Sequence, residues 1–554
     1  MSLTLFGRRA EAVLLAVAAM TLVLAPPPAP GQTGGPSGGA TDTTDATVSW
    51  RMPPMQMEMP MLPGLQGAVP DTRPFLPGRG GEAASPPEAE PNRMRRLSDG
   101  DTLQLTAGLV RRTIQGEEFT LYAYNRQYPG PLLRVPEDAT VIVRFHNEIH
   151  QPTTVHWHGV RLDNASDGVP DVTQEPVQPG ESFTYRVHFK DPGVYWYHPH
   201  VKTNTQIDAG LYGNMLVKPP GGDYYNPANR EVPLVLDDIL IDDDGLIPWG
   251  GEAGAPSHAL MGRFGNTFLT NGVTDWEISV GRGAVVRYFI TNVANTRTFN
   301  LRFGGPAVKV VGADISKFQR ETFVDNVVAG VAQRYTVEVR YPQPGDYPIT
   351  NQIQAINHFR GTFYRQVDTL GMVHVDEQPV QNSHGEEFQK LHEHERVQRD
   401  IAEFRPHFDR PVDKRMQLTV EVDGLPSSIM RMMKVDTLYF PPVEFNDAMP
   451  MMNWLSTGKE VRWILRDLDT GKENTEMDWS FREGEVAKIR ITNSAESIHP
   501  MNHPIHLHGQ RFLVLAHDGE ENDNLAWKDT VIVPVGSSVE LLVHFSEPGD
   551  WLMH

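Results

Sequence analysis

Cysteine is absent from all 554 residues. Disulfides and thiolate zinc sites are thereby excluded for the chain as written. Positive charge is scarce beside negative: 49 Lys and Arg face 70 Asp and Glu, a formal net charge of -21. Such a balance argues against nucleic acid or an anionic membrane surface as the main partner. Long apolar runs are also missing. The N-terminal run from Ala12 to Ala25, behind Arg8 and Arg9, is too short to span a bilayer comfortably. It has the layout of a signal peptide over residues 1–25, with Val23-Leu24-Ala25 as a small-residue cleavage site. Export to the periplasm or beyond is expected, with no stable membrane insertion after removal. The arginine pair hints at twin-arginine export; the alternative is an N-terminal anchor.

Pro and Gly are abundant, at 45 and 48 residues. With short β-rich runs they favour an all-β protein with many turns. Residues 26–100 are rich in Pro, Gly, Ala and Glu without a sustained period and read as a tail or wrapping arm. Strand patterns begin near Thr102. Breaks follow near Pro219-Pro220-Gly221-Gly222 and over a charged connection, 377–412, in which Glu386 to Phe404 reads as a helix.

Internal repeats decide the architecture. Val143-Arg144-Phe145-His146-Asn147 is echoed by Tyr288-Phe289-Ile290-Thr291-Asn292 and by Ile489-Arg490-Ile491-Thr492-Asn493. A Pro-Gly turn follows in each copy: Pro192-Gly193, Pro344-Gly345 and Pro548-Gly549. The chain is expected to hold three copies of one β-sandwich plan, over 101–220, 231–376 and 413–554, the last incomplete.

Histidine pairs sit on these repeats. The first copy has His156-Trp157-His158-Gly159 and His198-Pro199-His200; the third has His506-Leu507-His508-Gly509. His198 stands five residues after Gly193, as His554 does after Gly549. His554 is therefore expected to open a fourth pair whose partner falls beyond the last residue, in a truncated chain. On a strand, residues i and i+2 face one side, so each pair aims two imidazoles at a common point. Four pairs suit a cluster of three metal ions, and imidazole suits copper, zinc, iron or nickel. The middle copy has Leu301 and Phe303, then Thr350 and Gln352, at the matching places. Histidines needed only for the fold would have been kept there, so the pairs serve something shared by copies one and three.

These segments, with Tyr195-Trp196-Tyr197, His503-Pro504-Ile505, Asp167-Gly168-Val169-Pro170 and Trp527-Lys528-Asp529-Thr530, resemble the signature segments of the multicopper oxidases, nearest the bacterial laccase-like branch. The resemblance runs from about residue 101 to the end. It implies three consecutive cupredoxin-like Greek-key β-sandwich domains and four coppers of type 1, type 2 and binuclear type 3. It implies His156 and His506 as ligands of the type 2 ion. His158, His198, His200, His508 and His554 would hold the type 3 pair, and His503 would be one ligand of the type 1 ion. The family continues with Cys-His and later His and usually Met, which would complete the type 1 site. Without that cysteine the 554 residues are expected to be inactive as a blue oxidase.

The activity implied is one-electron oxidation of a phenolic-type or metal-ion donor coupled to four-electron reduction of O2 to water. Asp167 is the candidate for relaying protons, against a reading as a turn residue before Gly168. The alternatives are a metal oxidase for Cu(I), Fe(II) or Mn(II) in copper resistance, and a non-catalytic copper-binding cupredoxin repeat. Met52, Met55, Met57, Met59 and Met61 crowd one segment, and Met430, Met432, Met433, Met449, Met451 and Met452 another. Thioethers favour Cu(I), but methionine also fills gaps in apolar packing, and both readings stand.

Overall fold

A computed structural model of the chain describes residues 86–222, 224–242, 262–357, 362–424, 460–497 and 501–554, with a few isolated positions outside these ranges. The signal-peptide segment and both methionine clusters lie outside the described residues. No helix among the described residues is long and apolar enough to cross a membrane.

The three echoed strands are Thr140–Asn147, Ala284–Asn292 and Glu485–Asn493. Each lies inside a sheet with the same neighbours. A parallel partner precedes it in sequence: Thr102–Ile114, Arg230–Ile239 and Lys414–Val422 respectively. An antiparallel partner follows it: Ser182–His188, Arg334–Tyr341 and Ser538–Phe545. The molecule is all-β, built of cupredoxin-like β-sandwiches. The alternation in Thr102–Ile114, with Leu103, Leu105 and Ala107 buried between more exposed neighbours, is that of a strand with one face on a core. In the middle sandwich Ala284–Asn292 is buried at every position, being covered on both faces.

The asparagine that ends each echoed strand explains the repeat. Asn147 Nδ2 donates to the carbonyls of Gln151 and Val177 at 2.8 and 2.9 Å. Asn292 Nδ2 donates to those of Arg297 and Ala329 at 2.7 and 3.0 Å. Asn493 Nδ2 donates to those of Met501 and Val533 at 2.6 and 3.1 Å. One buried carboxamide thus satisfies a carbonyl of the loop leading to the next strand and ties it to a segment beyond that strand. In copies one and three that next strand carries histidines: His156–His158 and His503–His506. In the middle copy it is Phe299–Phe303, whose Leu301 and Phe303 are fully buried in an apolar core with Tyr288 and Val337. Each such burial stabilises by about 1.5–3 kcal/mol, so the middle copy uses for packing what its neighbours use for the histidines.

The charged connection departs from expectation. It forms two short helices, Gly385–Gln389 and Glu395–Ala402, instead of one. Residues between them run extended along strand Ser316–Val324, with Glu321 N donating to His392 O at 2.9 Å and His394 N to Gln319 O at 2.8 Å. The buried carboxylate of Glu321 draws the chain out of helix by accepting from His392 N and Nδ1, at 3.1 and 3.0 Å. The end of the arm also takes part in a sheet: Met94–Arg96 pairs in parallel with Gly130–Pro136.

Candidate metal centre

Strand pairing brings the histidines together. His156–His158 lies against Gly193–His198 in a register that sets His156 opposite His198 and His158 opposite Trp196. Trp157, between the two histidines, turns the other way and is fully buried in the first core. In the third sandwich His506 N donates to His554 O at 2.8 Å, and His554 N returns a bond to His506 O. The two sets then meet face to face. The rings of His158 and His506 stack at 3.7 Å between centroids, and those of His156 and His508 lie 4.0 Å apart. Ring nitrogens of His156, His158 and His198 lie within 4.8 Å of one another, as do those of His156, His506 and His508, and of His200, His508 and His554.

Hydrogen bonds on the outer nitrogens of five rings say where the ring proton sits. His156 Nδ1 and His506 Nδ1 donate to the main-chain oxygens of Asp167 and Asp529, at 2.8 and 2.9 Å. His198 Nδ1 donates to Pro199 O at 2.9 Å, and His508 Nδ1 to Asp167 Oδ2 at 2.9 Å. His158 is turned the other way: its Nε2 faces Thr530 Oγ1 at 3.0 Å and Asp529 Oδ1 at 3.2 Å. The inner nitrogens of these five rings are therefore bare lone pairs. The Nε2 atoms of His156, His200 and His506 are buried with no hydrogen-bond partner. Others face each other, His158 Nδ1 and His198 Nε2 at 3.4 Å, His508 Nε2 and His554 Nε2 at 3.1 Å. Converging, desolvated lone pairs repel unless a cation lies among them, so this donor set fits metal ions.

Electrostatics agree. Burial, reinforced by neighbouring rings, holds His158, His198 and His508 well below the ordinary imidazole range. The same causes push His200 down to about 3. Neutral rings at pH 7 are what a metal needs.

Two carboxylates tie the halves together. Asp167, from the first sandwich, reaches His156 Nδ1 at 3.2 Å with Oδ1 and His508 with Oδ2. Asp529, from the third, reaches His158 and His506 with Oδ1, at 3.2 and 3.5 Å. Each thus takes one ring from each sandwich. Burial would raise Asp529, but the Arg334 guanidinium, with hydrogen bonds from Arg334, His158 and His506, holds it well below the usual carboxylate range. Asp529 and Thr530 stand in a sequence motif that by itself gives them no role, and no sequence signal marks Arg334, whose partner lies 195 positions away.

His503 stands apart. It shares strand His503–His506 with His506 but lies three positions from it, an odd spacing that faces the opposite side. Its ring packs edge-on to Trp463 at 5.0 Å, and burial pushes it down to about 4. No group of metal-binding side chains among the described residues includes it. With no cysteine in the 554 residues, a type 1 ligand set is not assembled there.

Sequence models of the multicopper oxidase family match residues 108–222, 223–369 and 444–554. The chain is 27% identical to the multicopper oxidase MmcO of Mycobacterium tuberculosis over 82% of its own length and 83% of that protein. It is 26% identical to dihydrogeodin oxidase of Aspergillus terreus, over 81% of this chain and 79% of that one. The crystallised multicopper oxidase of Campylobacter jejuni, described as a metallo-oxidase, superposes with a TM-score of 0.63 at 20% identity, covering 85% of this chain and 91% of that one.

Proposed function

Because the chain belongs to the multicopper oxidase family, an oxidoreductase family with copper cofactors of types 1, 2 and 3, we propose that it couples one-electron oxidation of a phenolic or metal-ion donor to four-electron reduction of O2 to water. The observation that carries this reading is the convergence of seven histidines from two sandwiches, six of them buried or half-buried and His554 exposed, with an outer nitrogen engaged on His156, His158, His198, His506 and His508 and a bare inner Nε2 on His156, His200 and His506.

On this reading His156 and His506 hold the type 2 ion, and His158, His198, His200, His508 and His554 hold the type 3 pair. Bound copper supplies the one-electron redox steps and the place where O2 is reduced. The residues around it do the rest. Asp167 and Asp529 fix ring orientation, and burial of the rings excludes protons from the lone pairs. Asp167 Oδ1, buried and lacking a full hydrogen bond, is the atom proposed to hold a proton in transit to the cluster. No step through a type 1 ion is assigned, because these residues supply no thiolate for one. Export behind the Arg8–Ala25 segment would place the protein in the periplasm or outside the cell.

Copper titration of the metal-free protein tests the reading. About three ions per chain are expected, with the paramagnetic signal of a type 2 site and no intense thiolate-to-copper band. A chain that takes up zinc but not copper, or one copper only, would overturn it. O2 uptake by protein isolated from its source organism, with a phenol or with Cu(I) as donor, separates a laccase from a metal oxidase. The second donor class is kept because the Campylobacter jejuni relative is described as a metallo-oxidase.

A further inference from the structure

The middle sandwich contributes no histidine to the cluster, yet its side chains reach it. Arg334 opens the strand Arg334–Tyr341, and its side chain is fully buried. We propose that Arg334 is a positioning residue of the histidine cluster: through Asp529 it fixes the orientation of His158 and His506, and it joins the ligand sets of the first and third sandwiches.

The contacts of this one guanidinium span all three repeats. Nη1 donates to Asp529 Oδ1 at 2.7 Å while Nη2 donates to Asp529 Oδ2, a two-pronged grip on the third sandwich. Nε donates to Val194 O at 2.9 Å, on the strand of the first sandwich that ends at His198. Within its own sandwich, Nη1 donates to Ala332 O at 2.9 Å, and the main-chain N donates to Asp314 Oδ1 at 2.9 Å. Lys528, next to Asp529, pairs with Asp314 at 2.7 Å. Two cations and two carboxylates therefore balance in a buried unit. Such a unit is costly to break, because removing one member leaves a buried charge without compensation.

The grip on Asp529 decides what the histidines meet. With both oxygens held, Oδ1 stays 3.2 Å from His158 Nε2 and accepts from Thr530 Oγ1 at 2.7 Å. Thr530 Oγ1 in turn lies 3.0 Å from His158 Nε2 and 3.3 Å from His506 Nδ1. That arrangement keeps the His158 proton on Nε2 and leaves Nδ1 bare toward His198. Only a planar fork holds two carboxylate oxygens at once while reaching a third acceptor from Nε; an ammonium does not. Room for the fork is made by Gly159: a Cβ there would stand 2.4 Å from Asp529 Oδ2 and 2.8 Å from Arg334 Nη2.

The assignment rests on the copper reading for its effect on affinity, but not for its effect on the rings. Two measurements on the full chain keep these separate. In metal-free protein with 15N-labelled histidine, ring-nitrogen shifts report which nitrogen of His158 carries the proton. The proton is expected on Nε2 in the wild type and divided between both nitrogens in Arg334→Met. Cu(II) affinity is expected to fall about 10–100-fold in Arg334→Met, with an altered type 2 signal, and Arg334→Lys should recover part of both. Arg297→Met is the control: that arginine is equally buried in the same sandwich and pairs at 2.8 Å with Asp238 of the strand Arg230–Ile239. It should lower the melting temperature but leave ring protons and copper affinity unchanged. Arg334→Met with the wild-type proton pattern and affinity overturns the proposal, as does an equal loss of affinity in Arg297→Met. If Arg334→Met does not fold, Arg334→Lys decides, and wild-type affinity there overturns it. A wild type that binds no copper defeats the copper reading, while the ring-proton measurement still judges Arg334.

Discussion

His508 Nδ1 donates to Asp167 Oδ2 at 2.9 Å, a bond that joins two sandwiches across 341 positions of sequence. The other oxygen of Asp167 lies 3.2 Å from His156 Nδ1. His508 needs that acceptor, whereas the His156 ring proton goes to the main-chain oxygen of Asp167. Asp167→Asn keeps one acceptor oxygen for His508, sets an NH2 beside His156 and removes the negative charge that holds both rings in place. Copper affinity is expected to fall about 10–100-fold, read by competition against a chelator of known affinity. Where the protein turns over, O2 reduction should also change its pH profile. An Asp167→Asn protein with wild-type affinity and an unchanged profile at every pH would remove Asp167 from both roles.

Gly159→Ala tests the packing behind His158. Gly159 has φ +85°, and the added methyl would meet the Asp529 carboxylate and the Arg334 guanidinium, neither of which has room to yield. Backbone strain and overpacking together should cost about 2–5 kcal/mol. Calorimetry should show the loss as a lower melting temperature, with weaker copper binding. A variant as stable as the wild type would show that the interface gives way easily.

Asn292→Ala tests the repeat itself. The side chain donates to Arg297 O and Ala329 O and accepts from Ala294 N at 3.0 Å, all out of contact with water. Alanine leaves these groups without partners, at an expected cost of about 3 kcal/mol. Because the middle sandwich holds no histidines of the cluster, copper stoichiometry should not change. A fall in stoichiometry would mean that folding of the middle sandwich governs the cluster directly.

Much of the site was legible in sequence because its logic is local. An i, i+2 pair on a strand shares a face whatever the rest of the fold does, so His156 with His158 could be read as a pair, whereas His508 lies in a turn just past the strand that ends at His506 and still meets it at the cluster. Comparing repeats then aligned His554 with His198 and set Leu301 and Phe303 apart as the middle copy's substitutes. The repeated asparagine marked equivalent strands, although its reason, a carboxamide closing a loop, emerges only in three dimensions. What escaped was non-local. Asp529 acts through its distance to His158, and Arg334 through a partner in another sandwich; neither spacing carries a period. The helix expected over Glu386 to Phe404 failed for the same reason, since the buried Glu321 of a distant strand competes for the backbone at His392.

Acid should destabilise the metal-free protein through its buried imidazoles. Burial pushes His200 to about 3 and His503 to about 4, from an ordinary value near 6.5. Their folded-state values lie below the unfolded ones, so between these limits the unfolded chain binds more protons. Stability then rises with pH; it is fully present above about 6.5 and is lost as pH falls toward 4 and then 3. Each such ring contributes at most about 1.4 kcal/mol per pH unit within its window. If copper binds the neutral rings as proposed, it should add about 2.7 kcal/mol per site when present at a hundred times its dissociation constant. That gain should shrink on acidification, because protons and copper compete for the same nitrogens. Melting temperatures measured from pH 8 to pH 4, with and without copper, should give two curves that converge at the acid end. Curves that stay parallel would mean that copper is held by groups other than these histidines.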